Sequence, residues 1–322
     1  MKPTIFASKC LGFDNCRWNG MILHSDIVEL LRPYVDFITA CPEMEIGLGV
    51  PRSPIRVVEN KNGVSLIQPS TGLELTKKME TFSANLILEL KTNGIDAFIL
   101  KDASPSCGYK NVKHYAKADQ NNTTTKGFGI FGKRIKDEFP FTAVEDEGRL
   151  TNFTIREVFL TRLFVTAAFR ETKLSGKMKD LVNFQAKNKL LFLSYNEAGM
   201  RKLGKLTANA DKKPVEDVCR LYEAELGNIF IRPAKPGAAL NVLQHAFGYF
   251  SENISKDERV HYLKQLEKFS KGRLPLSAVT LLTMSYITRF KIAYLKEQTF
   301  FAPYPENLAS ISDSGAGRDS YR

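Results

Sequence analysis

Short apolar runs bounded by turn-forming residues recur through the first hundred residues of the chain. Three of them, residues 3–10, 34–40 and 97–100, have the length and composition of buried strands. Before the third run, residues 76–91 place apolar side chains at helical spacing. A helix between two such strands indicates a parallel sheet.

The other patterns of the N-terminal part are shorter. Residues 57–58 and 64–67 flank a turn-forming sequence, which predicts a small hairpin. Residues 109–126 are polar and are predicted to form a mobile loop over the end of the third strand. Residues 142–150 are predicted to form a last edge strand and its turn.

From residue 178 onward the pattern is helical and strand signals almost disappear. Ser255 and Glu258 have the spacing of a capping box at the start of one helix. The predicted helices are 180–195, 198–209, 214–229, 240–253, 256–269 and 276–296. A further helix at 152–171 is predicted to link this part to the first.

We therefore predict an α/β fold class. A Rossmann-like, mainly parallel sheet domain occupies residues 1–150 and carries the chemistry, and an all-α C-terminal domain occupies 178–306. Residues 151–177 form the linker helix between them. The Ser- and Gly-rich residues 307–322 are predicted to be a disordered tail.

The composition is that of a soluble globular protein, with 43% hydrophobic and 25% charged residues among 322. No apolar run approaches the roughly 18 residues that a membrane helix needs, so no membrane partner is expected. The N-terminus has no apolar segment typical of a signal peptide. Five cysteines are too few for a disulfide scaffold, which favours a reducing cytoplasm. No feature points to an obligate protein partner.

The net charge of +11 is unevenly distributed. Residues 1–150 hold 19 Lys and Arg against 18 Asp and Glu, and the remainder holds 27 against 17. This asymmetry suggests a chemistry domain joined to a domain that binds a polyanion. A basic surface that only aids solubility is the alternative.

Three cysteines stand at the ends of the three predicted strands. Cys10 closes the first strand, Cys41 the second, and Cys107 lies in the turn after the third. Sites in open α/β sheets lie outside the carboxyl ends of the strands, so the three thiols are expected to converge. Cys16 lies in a loop and is treated as incidental.

Several centres are compatible with three thiols. A [4Fe–4S] cluster held by three cysteines would leave one iron open to substrate. A zinc site is disfavoured because no local C-x-x-C pair is present, and a cysteine nucleophile could use His24 or His114 but leaves two cysteines unexplained. Three buried structural cysteines remain the plain alternative.

Other candidate residues surround the cysteines. Glu43 follows Cys41 by two residues, and Ser104 and Ser106 lie in the turn that holds Cys107. Arg17 could face an anion at the same edge of the sheet. The stretch after Cys41 could cradle a phosphate or carboxylate through exposed backbone and an arginine, which adds Gly47, Gly49 and Arg52 as substrate-binding candidates.

The chain also resembles a known family. Its N-terminal part, over residues 4–150, is similar to the thiouracil and 4-thiouridine desulfidase domain. The matching blocks, in order, are SKCLGFDNCRWNG, ACPEMEIGLGVPRSPI, LKDASPSCG, GFGIFG and AVEDEGRL. Residues 181–306 resemble a helical domain of unknown function that is often fused to it, through NKLLFLSYN, MRKLGKLTANA, NVLQHAFGYF, DERVHYLKQLEKF, GRLPL and YLKEQTFFAPYP. This fusion resembles the bacterial tRNA 4-thiouridine desulfidases.

The resemblance implies roles for the residues of this chain. Cys10, Cys41 and Cys107 would hold a [4Fe–4S] cluster whose open iron binds the thiocarbonyl sulfur. Glu43 would activate the attacking water, and Ser104 would assist by hydrogen bonding. The implied reaction converts 4-thiouridine in tRNA to uridine and releases hydrosulfide.

The basic helical domain would then bind tRNA through its phosphates. The candidate residues for these contacts are Lys177, Lys179, Lys187, Lys189, Arg201, Lys202 and Lys205. Asn188 and Ala239 stand where related helical domains often carry basic residues. His245 is either a core histidine or an RNA contact. Two other functions stay open: desulfidation of free thiouracil or 4-thiouridine monophosphate, and a non-enzymatic metal-binding module that interacts with RNA.

Overall fold

The computed structural model describes residues 2–61, 63–119 and 123–309. Its described residues divide into two compact units: the first comprises the chain up to Ala167 together with residues 307–309, and the second spans Ala168–Glu306. The boundary lies inside the helix Phe153–Ser175, in the segment predicted to link two domains. Most of the predicted tail, from residue 310 onward, is outside the described residues.

Among its described residues, the first unit contains nine strands and the helices that connect them. The strands are β1 (Thr4–Ser8), β2 (Asp36–Ala40), β3 (Arg56–Asn60), β4 (Gly63–Gln68), β5 (Leu73–Glu74), β6 (Ala97–Leu100), β7 (Val112–Tyr115), β8 (Thr123–Gly127) and β9 (Ala143–Asp146). The helices are α1 (Asp26–Leu31), α2 (Pro42–Glu45), α3 (Thr76–Asn93), α4 (Ile130–Glu138) and α5 (Phe153–Ser175).

The first sheet has the strand order β2-β1-β6-β9, and every neighbouring pair is parallel. Ser8 at the end of β1 is level with Ala40 at the end of β2. All four residues of β6 are buried, as expected for a strand covered on both faces. The predicted α/β fold with a mainly parallel sheet is confirmed.

A second sheet has the order β5-β4-β3-β7-β8. Its β3–β4 pair is the predicted hairpin. The prediction that residues 109–126 form a loop was wrong, because β7 and β8 pair antiparallel within that stretch. Val112 and His114 are buried and Lys113 is exposed. The alternation of a strand is therefore present, but it is not visible as a hydrophobic pattern because one of the buried positions is a histidine.

The second unit is helical, as predicted. Its helices are α6 (Met178–Tyr195), α7 (Glu197–Ala208), α8 (Val215–Ile229), α9 (Pro236–Gly248), α10 (Lys256–Ser270), α11 (Leu276–Arg289) and α12 (Ala293–Lys296). The capping box is present at the start of α10. The last predicted helix, 276–296, is in fact two. Lys291 between them has a left-handed backbone, with φ 52°, which interrupts a helix.

The structure shows where three residues singled out in this unit lie. Asn188 is buried, donates to the Phe184 carbonyl and accepts from Thr299 Oγ1. Ala239 is buried as well, so neither position faces a ligand. His245 is exposed on α9, and the interpretation of it as a core histidine was wrong. None of the helices in the described ranges is long and apolar enough to span a membrane.

Candidate active site

The parallel sheet brings the three predicted cysteines to one edge. Because β1 lies between β2 and β6, the carboxyl ends of the three strands are neighbours. Cys10 lies two residues beyond β1, Cys41 follows β2 directly as the N-cap of α2, and Cys107 is reached through the turn after β6. Each is at most 8% exposed, and all three thiols are free.

Cys16 joins this group, although its loop position suggested no role. It is 2% exposed, and its thiol interacts with the thiols of Cys10 and Cys41. The carbonyl of Cys16 accepts from Arg52 Nη1 (3.0 Å) and lies 3.6 Å from the Cys41 thiol. The structure therefore brings Cys16, which the sequence analysis treated as incidental, to the same group: the turn after β1 folds back on itself, and sequence spacing does not reveal that return.

The buried thiols hold their protons tightly. The interaction with Cys10 raises the pKa of Cys16 to about 11. The interaction with Cys16, followed by burial, raises the pKa of Cys41, and burial raises the pKa of Cys107 to about 12. At neutral pH these thiols are protonated unless a cation displaces the protons, as bound metals do.

Hydrogen-bond donors are in place to support thiolates. The Ser8 hydroxyl donates to the Cys107 thiol, and Ser106 Oγ, whose own proton goes to Glu43, lies 3.9 Å from the same sulfur. Arg52 Nη2 lies 4.0 Å from the Cys41 sulfur, and the Met44 N–H donates to it. Such donors stabilise thiolate ligands and tune iron–sulfur centres.

The donor set consists of soft thiols, the donors that an iron–sulfur cluster uses. Within the described part of the chain, no three His, Cys, Asp or Glu side chains are arranged to hold one metal ion. A structural zinc site requires four ligands around one ion. The cysteines of a cubane cluster each bind a different iron, so they lie around the cluster and not around one ion. The three thiols of this site come from three neighbouring strand ends.

Glu43 is a carboxylate that interacts with the thiols of Cys41 and Cys107, and both of its oxygens are held. Arg52 donates to Oε2 through Nε and Nη2, each at 2.8 Å, and Ser106 Oγ donates to Oε1 at 2.7 Å. The side chains of Arg52 and Glu43 are only 3% and 13% exposed. Glu43 is thereby fixed in one orientation beside Cys41.

The two serines form an ordered chain that ends on Glu43. Ser104 Oγ accepts from the backbone N–H groups of Ser106 and Cys107, and it lies 2.9 Å from Ser106 Oγ. A carboxylate can only accept, so the Ser106 hydroxyl donates to Glu43 and the Ser104 hydroxyl donates to Ser106. Ser106 contacts Glu43 directly, whereas Ser104, the serine to which the resemblance assigns catalysis, is one hydrogen bond further away.

The substrate-binding candidates take different positions. Gly47 and Gly49 have φ of 89° and 70°, a left-handed backbone that favours glycine. A side chain at either would meet nothing within 4 Å, so the space beside them is open. Arg52 is buried against Glu43 and the Gly49 carbonyl, and Arg17 is half-buried in the turn after Cys16.

Sequence reasoning missed an apolar rim at this edge of the sheet. It comprises the exposed side chains of Trp18, Met21, Ile22, Met44 and Val50, with Trp18 47% exposed. The rim adjoins the site, because the Trp18 carbonyl accepts from the Arg52 N–H (2.8 Å) and Met44 Sδ lies 3.7 Å from Arg52 Nη1. A solvent-facing indole beside a buried thiol group is the signal that could have indicated it.

A second acidic group lies at the ends of β6 and β9. Asp146 is buried, accepts from the Arg149 N–H (2.7 Å), and has its pKa raised to about 7, first by burial and then by neighbouring carboxylates. Glu147 pairs with Lys101 and accepts from the Asp102 N–H (2.8 Å). These bonds fasten the turn after β9 to the strand that leads to Cys107.

We expect Asp146→Asn to stabilise the protein increasingly as pH rises from about 4 to about 7. A carboxyl whose folded pKa is raised contributes stability in full below its unfolded pKa of 3.8. That contribution is lost as pH rises to about 7, at roughly 1.4 kcal/mol per unit. The difference in Tm between variant and wild type should therefore grow from about pH 4 to about pH 7 and level off above that. Asp137→Asn, at an exposed carboxylate on α4, is the control and should show no such growth.

Two family models match the chain. The model described as 2-thiouracil desulfurase matches residues 5–147, and a model described as a protein of unknown function, DUF1722, matches residues 189–305. The first match contains all of the cysteines and carboxylates described above, and the second lies within the helical unit.

Each of the similar proteins covers only part of this chain. The uncharacterized protein YbgA of Escherichia coli is 27% identical over 158 residues, which is 48% of this chain and 93% of YbgA. The uncharacterized protein YbbK of Bacillus subtilis is 32% identical over 109 residues, which is 32% of this chain and 72% of YbbK. A solved structure, the [4Fe-4S]-dependent thiouracil desulfidase TudS, aligns with a TM-score of 0.38 at 22% identity, over 46% of this chain and 93% of TudS.

Proposed function

We propose that this chain, which belongs to the 2-thiouracil desulfurase family through residues 5–147, is a desulfidase that converts 4-thiouridine in tRNA to uridine. The family supports the desulfidase activity, and the tRNA substrate is our own inference. The observation that carries the proposal is the position of the Glu43 carboxylate. The Glu43 side chain is only 13% exposed, is held at both oxygens, and lies next to a group of cysteines at the edge of the sheet.

Cys10, Cys41 and Cys107 are the residues that would hold a [4Fe–4S] cluster. When bound, such a cluster supplies a Lewis-acidic iron that no protein residue need ligate, and that iron can draw electron density from a thiocarbonyl sulfur. The Ser8 hydroxyl and the Arg52 guanidinium lie beside the thiols and would stabilise them as thiolates.

Glu43 is the general base in this proposal. A water molecule attacks the carbon that bears sulfur, and Glu43 takes a proton from it. The water oxygen stays on the base as the new carbonyl, and sulfur leaves as hydrosulfide, so the reaction is hydrolytic and needs no oxidant or reductant. Arg52 aims the carboxylate, and its own place is fixed by the Cys16 and Gly49 carbonyls.

The hydrogen-bonded hydroxyls of Ser106 and Ser104 can accept the proton that Glu43 takes from water. Once Glu43 is protonated, it can donate to Ser106, and the two hydroxyls can then reverse direction and pass a proton toward Ser104. This route gives Ser104 a role in protonating the departing sulfur, although Ser106 alone contacts Glu43.

The apolar rim suits a nucleobase. Base–aromatic stacking is a common mode of single-stranded nucleic-acid binding and contributes about 1–3 kcal/mol per base. Trp18 is the only tryptophan of the chain; it is exposed, and its carbonyl accepts from the N–H of Arg52, the residue that holds Glu43.

The helical unit supplies the argument for tRNA. All seven of its candidate basic residues are exposed. Arg201, Lys202 and Lys187 have carboxylate partners. In the part of the chain that the structure describes, no ion pair is found for Lys177, Lys179, Lys189 and Lys205. Unpaired lysines are the ones available to phosphates.

The test is turnover by the anaerobically purified protein with bulk tRNA that contains 4-thiouridine. We expect loss of the 4-thiouridine absorbance together with an equal amount of sulfide. A protein inert on tRNA but active on free 4-thiouracil or 4-thiouridine monophosphate would favour the small-molecule function. Binding of tRNA with no sulfide from any thionated base would favour a non-enzymatic RNA-binding module.

We expect a variant in which Lys177, Lys179, Lys189 and Lys205 are all replaced by Gln to bind tRNA more weakly, with its chemistry unchanged. The KM for tRNA should rise, and the slope of log affinity against log salt should become shallower by roughly 0.7–0.9 for each phosphate that the protein no longer neutralises. Turnover of free 4-thiouracil should not change. The matched control replaces four exposed lysines elsewhere on the helical unit, Lys256, Lys264, Lys268 and Lys296, and equal losses in both proteins would contradict a specific surface.

A further inference from the structure

Cys16 is the cysteine of this site to which the proposed mechanism gives no role. The turn after β1 carries it back toward Cys10. The N–H groups of Phe13 and Asp14 donate to the Lys9 carbonyl, and Lys9 forms an ion pair with Asp14 (2.9 Å). Six residues after Cys10, the chain therefore returns a second thiol to the same edge of the sheet.

The place of Cys16 is fixed by the catalytic group itself. Arg52, which holds Glu43, also donates to the Cys16 carbonyl at 3.0 Å. The Cys41 thiol points at the same carbonyl. The Cys16 side chain is 2% exposed and contacts the thiols of Cys10 and Cys41. A thiol held this closely to two ligands is within the coordination region of whatever those ligands bind.

We propose that Cys16 is an exchangeable fourth ligand, which caps the iron not held by Cys10, Cys41 and Cys107 and yields that position to the substrate sulfur. This inference rests on the proposed iron–sulfur desulfidase function. The exchange is balanced without redox chemistry: Cys16 loses its thiol proton when it binds and regains it when the thiocarbonyl sulfur takes its place.

Two physical arguments support a cap of this kind. A tethered thiol acts at an effective concentration in the millimolar range or above, so it competes well with free thiols and water. Thiolates are also the soft ligands that iron–sulfur centres prefer. The cap would protect an iron that is otherwise easily lost, and it would weaken substrate binding in proportion to the capped fraction.

The experiment compares four anaerobically reconstituted proteins: wild type, Cys16→Ala, Cys16→Ser and Cys219→Ala. Cys219 is a buried cysteine on α8, outside the site, so its variant is the matched control. Serine preserves the size of the side chain at position 16 but ligates iron weakly. The first readout is iron loss. Ferricyanide takes one electron from the cluster, the uncapped iron departs as Fe²⁺, and the three-iron product has an EPR signal.

We expect both position-16 variants to keep four irons per chain as prepared. They should form the three-iron signal several-fold faster than wild type and Cys219→Ala. The second readout is the affinity for 4-thiouracil, measured by the change in the cluster absorption. It should be about tenfold tighter in both variants if the cap covers about 90% of the wild-type sites.

Each other outcome overturns the proposal. Equal oxidation rates and affinities in all four proteins would leave Cys16 a packing residue. Loss of the cluster in both position-16 variants would make Cys16 a permanent ligand, and a serine variant that behaves like wild type would assign the effect to size. Failure of the proposed function is separate, because a wild-type protein that holds no iron or releases no sulfide would reveal it before any variant is compared.

Discussion

Cys107→Ser protein is expected to lose its iron and all of its desulfidase activity. Cys107 is 5% exposed at the end of the turn after β6, its thiol receives a hydrogen bond from Ser8, and Ser106 Oγ lies 3.9 Å from its sulfur. Serine replaces a soft thiolate by a hard, protonated hydroxyl. A cluster with only two of its three permanent thiolates is not retained, so iron should fall from about four per chain to well below one.

Iron content, the visible absorption and sulfide release from thionated substrate should fall together. Cys219→Ser is the matched control, because Cys219 is equally buried but lies in the helical unit. It should keep iron and turnover. Far-UV circular dichroism shows whether either variant is folded. Cys107→Ser protein that is folded, holds four irons and turns over at the wild-type rate would remove Cys107 from the ligand set.

The strand ends explain why the sequence could predict so much of this site. Cys10, Cys41 and Cys107 are separated by about 30 and 65 residues, yet a parallel sheet places the ends of β1, β2 and β6 side by side. The apolar run and the cysteine that follows it are both visible in the sequence. Topology then requires only that the three strands be neighbours, which the βαβ pattern supplies.

What the sequence could not predict is set by turns and by side-chain pairing. Arg52 was a candidate for binding an anionic substrate, and the structure places its guanidinium on Glu43, nine residues earlier. Which of Ser104 and Ser106 contacts Glu43 depends on two backbone hydrogen bonds inside one turn. Cys16 was set aside because a loop position carries no periodic signal that reports where its side chain points.

The hydrogen bonds of Arg52 connect parts of the site that are separate in the sequence. One arginine holds the Glu43 carboxylate, the Cys16 carbonyl and the Gly49 carbonyl, and it lies 4.0 Å from the Cys41 sulfur. A change in the coordination of Cys16 would therefore be felt at the general base through a single side chain. The site behaves as one hydrogen-bonded unit, and removal of different members should produce different losses.

Glu43→Gln protein is expected to keep its cluster and lose turnover. An amide cannot take a proton from water, and removal of a general base typically lowers kcat by roughly 10²–10⁴-fold. The amide is the same size, and its oxygen can still accept from Arg52. Its NH₂ group would then face Ser106, which would have to accept instead of donate, so the serine chain would run in the opposite direction.

Single-turnover sulfide release from 4-thiouridine, with iron content and Tm measured on the same preparation, separates chemistry from folding. The Tm is expected to fall because Arg52 loses its charged partner in a nearly buried position. The matched control is Glu45→Gln, an exposed carboxylate on the same short helix, which should leave all three quantities unchanged. If Glu43→Gln protein retained its iron and released sulfide at the wild-type rate, Glu43 would serve only to hold Arg52, and the base would have to be sought among the other groups at this edge of the sheet.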